Sequence, residues 1–185
     1  MIIQWEGAIA TIAMNRAPVN AIDHPTTDAI HAALMQADAN EEMRTTVLTS
    51  ALPDMFFGGM GLRMVAAGDA HDLCGFVYEF YMKTMDIQYA MRKPTIAPIN
   101  GPARGAGMTL SITSDVIVAA GDIDLGYPEI DIGLIPAIHY VDLPRQISRH
   151  KAFELLFAGK PIPGADALDL GLLNHVVPCA ELLTK

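Results

Sequence analysis

Two glycine-rich stretches and one acid carry the chemistry that this sequence could perform. In Lys93–Thr113 (KPTIAPINGPARGAGMTLSIT), glycines 101, 105 and 107 punctuate a loop between the apolar run Pro94–Ile99 and the segment Met108–Thr113. The run reads as a buried strand and the segment as a helix. A strand that leads through a glycine loop into a helix leaves main-chain N–H groups without partners at the helix start. Backed by the helix dipole, such donors suit an anion, or a carbonyl oxygen that is gaining negative charge. Glu129 follows, after Pro128 and among Tyr127, Ile130 and Ile132, where apolar neighbours would desolvate a carboxylate. An oxyanion cradle beside a desolvated base is the pair of parts needed to remove a proton next to a carbonyl. Taken singly, the glycines also fit tight turns, and the acid also fits a hydrogen-bonded structural role.

The rest of the chain must supply a body that holds these parts. Its 185 residues suffice for one sizeable core, so a single domain over 1–185 is expected. With 51% hydrophobic and 18% charged residues, disorder is excluded. The net charge of −9 disfavours a nucleic-acid surface. No apolar run reaches the length that spans a bilayer, so no membrane partner is expected. The opening MIIQWEGAIATIAM lacks a basic region and a small-residue cleavage site, and a cytoplasmic location is the expectation. Cys74 and Cys179 fit no metal or redox spacing and read as reduced, mostly buried thiols. The six histidines show no ligand spacing, and Asp122, Asp124 and Asp131 lack the glycine-bearing loop that calcium needs. No metal site is expected.

Periodicity and punctuation place the elements. Ala8–Met14 and Thr45–Ser50 read as strands, with the loop Asn15–Ala21 after the first. Asp23 is a candidate N-cap ahead of Pro25, which opens a helix with Ile30, Ala33, Leu34 and Ala37 on one side. Ala51–Leu62 has the glycine punctuation of a loop. Asp72–Arg92 is long and apolar on one side through Phe76, Phe80, Met82, Met85 and Tyr89. Val116–Ala120 and Asp124–Gly126 return to strand character. Ile138–Ile147 and His150–Ala158 look helical, Ala165–Leu170 is a short helix closed by Gly171, and Leu173–Val177 is extended.

Six segments in order carry a resemblance: NRAPVNAI (15–22), FFGGMGL (56–62), KPTIAPINGPARGAGMTL (93–110), SDVIVAA (114–120), YPEIDIGLIP (127–136) and GADALDLGLLNHVVP (164–178). Together they resemble the crotonase superfamily, which contains enoyl-CoA hydratases and isomerases. The resemblance implies an α/β fold, a crotonase-like spiral of β-β-α units with a shortened C-terminal helical region. It implies an acyl-CoA thioester as substrate, with coenzyme A arriving as part of that substrate and no separate cofactor. It also implies a homo-oligomer, a trimer or a dimer of trimers. Two peptide N–H groups would grip the thioester oxygen, those of Met60 in FFGGMGL and Ala106 in GAG, and Glu129 matches a catalytic glutamate. Gly58, Gly61, Leu62, Gly105, Thr109, Pro128 and Gly133 would surround the substrate. Arg16, Ala17 and Val19 would lie near the pantetheine and adenine, with Arg63 beyond the first oxyanion loop.

The departures from the family pattern shape the expected chemistry. Hydratases of this family generally carry a second glutamate one helical turn into the central helix, and Thr109 stands there. One remaining acid can shuttle a single proton along an allylic system, which favours an isomerase over a hydratase. A catalytically weak binding or assembly module, thioester hydrolysis and decarboxylation remain as alternatives. Gly61 replaces a common Asp, and PAIHYVD (136–142) replaces a glycine-rich segment bordering the acyl pocket. Within it, His139 and Asp142 read as packing or surface residues rather than catalytic ones.

Overall fold

The computed structural model describes residues 1–121, 123–136 and 138–183, so Asp122, Ala137, Thr184 and Lys185 lie outside it, as do the side chains of Leu62, Val65 and Ala70. The strands β1 (Ile2–Glu6), β2 (Ile9–Met14), β3 (Thr45–Ser50), β4 (Thr95–Ile99), β6 (Val116–Ala120) and β9 (His175–Val177) line up in that order as one sheet. Only the β1–β2 pair is antiparallel; every later pair is parallel. A smaller sheet holds β5 (Ala103–Arg104), β7 (Asp124–Gly126) and β8 (Ile162–Pro163). Eight α-helices complete the described chain: α1 (His24–Ala39), α2 (Leu62–Ala67), α3 (Ala70–Val77), α4 (Lys83–Ala90), α5 (Ala106–Ile112), α6 (His139–Gln146), α7 (Arg149–Ala158) and α8 (Gly164–Asp169). The chain passes from β4 in the large sheet to β5 in the small one and into α5. It then repeats the move from β6 to β7 and on into helical turns, which is the expected spiral of β-β-α units.

The central strands are apolar because both faces are covered. Ile12, Leu48, Ala97 and Ile99 are fully buried, and each large aliphatic side chain so removed from water contributes about 1.5–3 kcal/mol. Helix α1 covers part of this surface with Ile30, Ala33, Leu34 and Ala37, as its periodicity predicts. Asp23 caps it, accepting from Thr26 N–H at 3.1 Å. At its other end the Lys93 ammonium donates to the carbonyls of Ala37, Asp38 and Asn40 at 2.5–2.9 Å, a cation placed at the negative pole of the helix.

Several expectations need correction. The Asp72–Arg92 stretch is not one regular helix: a π-helical turn, Tyr78–Met82, separates α3 from α4. The altered register there leaves Met82 43% and Tyr89 59% exposed, while Phe76 and Phe80 are buried as expected and Tyr81 turns inward. Cys74 and Cys179 are both exposed free thiols: Cys74 lies on the solvent side of α3, and Cys179 opens the 3₁₀ turn Cys179–Glu181. Strand β1 was not anticipated; it pairs through Gly7, whose φ of +55° makes the hairpin turn. The two-residue strands β5 and β8 carry no readable alternation. Helix α5 begins at Ala106, two residues before the expected start, which puts Ala106 at its first position.

The close approach of α5 to the distant Phe57 segment fixes one glycine. A Cβ on Gly107 would stand 2.7 Å from Phe57 Cβ and 2.9 Å from Phe57 O. Gly107→Ala is therefore expected to destabilise the protein by about 1–3 kcal/mol through overpacking, read as a lower urea midpoint at unchanged slope.

Candidate active site

Three strand segments bring the predicted groups together. Phe57 forms a parallel bridge with Ala103, and Ala103 pairs in parallel with Leu125. Phe57 N–H donates to Pro102 O (3.3 Å), Arg104 N–H to Phe57 O (3.0 Å) and Gly105 N–H to Gly126 O (3.0 Å). Met60 and Ala106 each lie three residues beyond their paired position, and Glu129 lies four beyond its own. All three groups therefore lie just past the same end of one parallel ladder.

The first amide is presented by a loop held through its backbone. Gly58 N–H donates to Val19 O at 2.8 Å, Ile22 N–H to Gly59 O at 2.9 Å, and Gly61 N–H to Ile22 O at 2.8 Å. Because Ile22 uses the groups on either side of Met60, the Met60 N–H points away from that bridge and donates to no described acceptor. This loop needs no side-chain cap at Gly61, where the family's common Asp is missing. The buried Asn20 anchors the preceding loop, donating to Ser50 Oγ and Phe56 O, both at 2.8 Å. The second amide, Ala106 N–H, opens α5 and has no intrahelical acceptor. Gly105 precedes it at φ +48°, ψ −110°, a conformation that favours glycine.

Glu129 sits in the 3₁₀ turn Pro128–Ile132, which Gly133 (φ +74°) ends in the left-handed region. Its carboxyl lies over Gly105: a Cβ there would stand 2.5 Å from Glu129 Oε1. Oε2 is buried with no partner among the described residues. Burial raises the carboxyl to about 7, against a smaller opposing pull from its own backbone hydrogen bond.

Gly58, Met60, Gly105, Pro128 and Glu129 line a cavity of about 200 Å³, joined by Tyr81 and Leu134. An inner cavity of about 130 Å³ shares Met60, Tyr81, Glu129 and Leu134 with it and continues past Leu73, Val77 and Ile138. The remaining expected residues stand around rather than along these walls. Gly61 and Gly133 shape the two turns. Val19 packs on Gly58, where a Cβ would come within 2.9 Å of it. Ala17 follows Arg16 in the same loop, and the Arg16 guanidinium is tied to Asp23 and Ala21 O at 2.5 Å. The Leu62 side chain lies outside the described residues.

Thr109 is fully buried, and its hydroxyl meets His139 Nε2 at 2.9 Å. The place of a second acid is thus filled by a neutral pair: burial pushes His139 down to about 3, so its ring carries no charge. Tyr127 packs on that ring with centroids 4.6 Å apart. His139 is a packing residue, as expected from the sequence. Tyr81 was missed, because nothing in its neighbours signals the π-helical turn that brings it inward. Among the described residues no three His, Cys, Asp or Glu side chains gather in a way that could hold a metal ion, and no helix is long and apolar enough to cross a membrane.

The family model for enoyl-CoA hydratase/isomerase matches residues 4–185. The chain belongs to the enoyl-CoA hydratase/isomerase family. It is 29% identical over 167 residues to a Bacillus subtilis protein named "Probable enoyl-CoA hydratase", covering 90% of this chain and 64% of that one. It is 30% identical over 178 residues to a carnitinyl-CoA dehydratase of Salmonella paratyphi A, covering 96% and 67%. The chain thus spans about two thirds of the length of these curated relatives. The crystal structure of an enoyl-CoA hydratase from Bacillus anthracis superposes with a TM-score of 0.93 at 28% identity, over 99% of this chain and 72% of that one. Human enoyl-CoA hydratase domain-containing protein 3 gives 0.92 at 26%, over 99% and 71%. The crotonase-like α/β architecture of this family member is therefore established.

The raised Glu129 carboxyl gives a stability signature. Between about pH 4.5 and 7 the unfolded chain has lost this proton while the folded chain keeps it, so folding stability falls as pH rises through that window. Glu129→Gln removes the effect. The variant should be more stable than the parent above pH 7, and the gap should close below pH 4.5, as urea titrations across pH would show.

Proposed function

We propose that this protein removes a proton from C2 of an acyl-CoA thioester and stabilises the resulting enolate, and that its reaction moves the double bond of a 3-enoyl-CoA into conjugation. The observation that carries this reading is the position of Glu129: its carboxyl rests against Gly105, the residue before the Ala106 amide, and Glu129 lines both cavities. In the forward step the C2–H bond breaks, Glu129 takes the proton, and the electron pair moves onto the thioester oxygen. The N–H groups of Met60 and Ala106 hold that oxygen. Glu129 then returns the proton at C4 as the carbonyl re-forms. A carboxyl near 7 can both accept and return a proton at neutral pH. Losing one oxyanion donor typically costs about 3–4 kcal/mol of barrier. The reading needs no cofactor beyond the coenzyme A of the substrate, with Arg16, Ala17 and Val19 on the pantetheine side, and it includes assembly as a homo-oligomer.

A hydratase is the second reading, favoured by the names of the relatives. It has to activate water without an acid at position 109, where the Thr109 hydroxyl is engaged by His139. Supplying 3-enoyl-CoA and 2-enoyl-CoA separately distinguishes the two: conjugation of the first supports the isomerase, hydration of the second the hydratase. Turnover of neither would leave a binding or assembly module. For the isomerase, Glu129→Gln should lower kcat by roughly 10²–10⁴-fold, and kcat/KM of the parent should rise with pH through a midpoint near 7. Undiminished turnover by Glu129→Gln would remove Glu129 from the mechanism.

A further inference from the structure

The two ends of the large sheet are finished differently. β9 closes one end with three residues, His175–Val177, and Pro178 follows at once, a residue that cannot donate to a ladder. β1 closes the other with five regular residues, which pair with β2 on one side and with no described residue on the other. Exposed edges are ordinarily blunted by lysine, proline or a bulge. β1 has none of these. Its register with β2 is unbroken from Ile2 to Glu6, and Ile2 and Trp5 are 38% and 41% exposed. Glu6 is the only charged side chain in residues 1–15 of a chain whose net charge is −9. This edge is therefore where a second copy meets little repulsion.

The hairpin fixes which polar groups of β1 are free. Gly7 and Ala8 alone connect the partners Glu6 and Ile9, so that pair exchanges both of its hydrogen bonds. Alternation then turns the N–H and C=O groups of Ile2 and Gln4 toward β2, and those of Ile3 and Trp5 outward. Two such edges, antiparallel about a two-fold axis at Gln4, match group for group. Ile3 exchanges hydrogen bonds with Trp5 of the second copy, the two Gln4 side chains meet at the axis, and Ile2 lies opposite Glu6. No like charges are opposed, and each Trp5 ring gains a β-branched cross-strand neighbour, a favourable pair.

We propose that β1 is a self-association edge: two copies of this chain join by antiparallel β1–β1 pairing centred on Gln4, which makes their two six-stranded sheets continuous. The contact is isologous, one patch meeting itself, so it closes at two partners and does not propagate. It goes beyond the reaction assigned to Glu129 and does not depend on it. A single strand edge buries less than the roughly 1,200 Å² of a standard interface, so the pairing belongs to the weak, concentration-dependent class.

Analytical ultracentrifugation and the fluorescence of Trp5, the sole tryptophan, test the proposal together. Between about 1 and about 300 μM the parent's average mass should rise toward twice its dilute value, and Trp5 emission should shift to the blue over the same range. Gln4 is exposed, so Gln4→Lys and Gln4→Glu should leave the fold intact. Each places like charges at the two-fold axis and should hold the mass at its dilute value. An equimolar mixture of the two variants should recover the doubling, because lysine then faces glutamate. Contacts between copies through any other surface would be indifferent to Gln4. A parent whose mass stays constant, a doubling that survives Gln4→Lys, or a mixture that fails to recover it overturns the assignment.

Discussion

The parallel backbone ladder Phe57–Ala103–Leu125 is the constraint on which the site depends. The Met60 and Ala106 amides are main-chain groups, so their separation cannot be tuned by rotamers. It is set by how closely three main-chain segments approach. Those approaches are possible only where side chains are missing: Gly58 against Val19, Gly105 against Glu129, and Gly107 against Phe57. The hydrogen bonds that close the ladder also fix the starting points of the Met60 loop, of α5 and of the Glu129 turn. Geometry imposed in this way tolerates side-chain replacement at Met60, Gly61 and Ala106, where the sequence departs from the family pattern while the loop retains its form.

Several polar atoms near Glu129 find no partner among the described residues. Glu129 Oε2, Tyr127 Oη and His139 Nδ1 are buried and unpaired there, and such atoms ordinarily cost about 1–3 kcal/mol each. Folding tolerates them because the six-stranded sheet and α1 bury a continuous apolar core elsewhere. Burial holds the His139 ring neutral and the phenols of Tyr81 and Tyr127 protonated. Glu129 is the buried acid of a cavity whose lining also includes Arg104 and Asp131. The Thr109–His139 hydrogen bond closes the position from which a second acid would act.

What could be read in advance followed the range of the interaction. Capping by Asp23 and the buried face of α1 depend on neighbours three and four residues away, and both are as the sequence indicates. The central strands announce themselves by apolar composition. The π-helical turn does not, because one extra residue per turn is favoured by tertiary packing of Phe80 and Tyr81 and leaves no periodic signature. The two cysteines misled for a related reason: a thiol is small and apolar enough to suit a core, but Cys74 falls on the solvent side of α3 and Cys179 on an exposed 3₁₀ turn. Strands β5 and β8 are too short to show alternation, and the bridge that makes β5 matter spans distant segments.

The order of the glycine loops and the place of Glu129 among apolar neighbours were determined by the sequence alone, since both are written in adjacent residues. The tertiary structure alone decided that Gly105 has the Glu129 carboxyl for a neighbour, that Thr109 is taken by His139, and that Tyr81 faces the cavity. Each of those facts is a contact between segments 24 or more residues apart. Such contacts are set by how strands register and helices pack, and no local pattern along the chain encodes them.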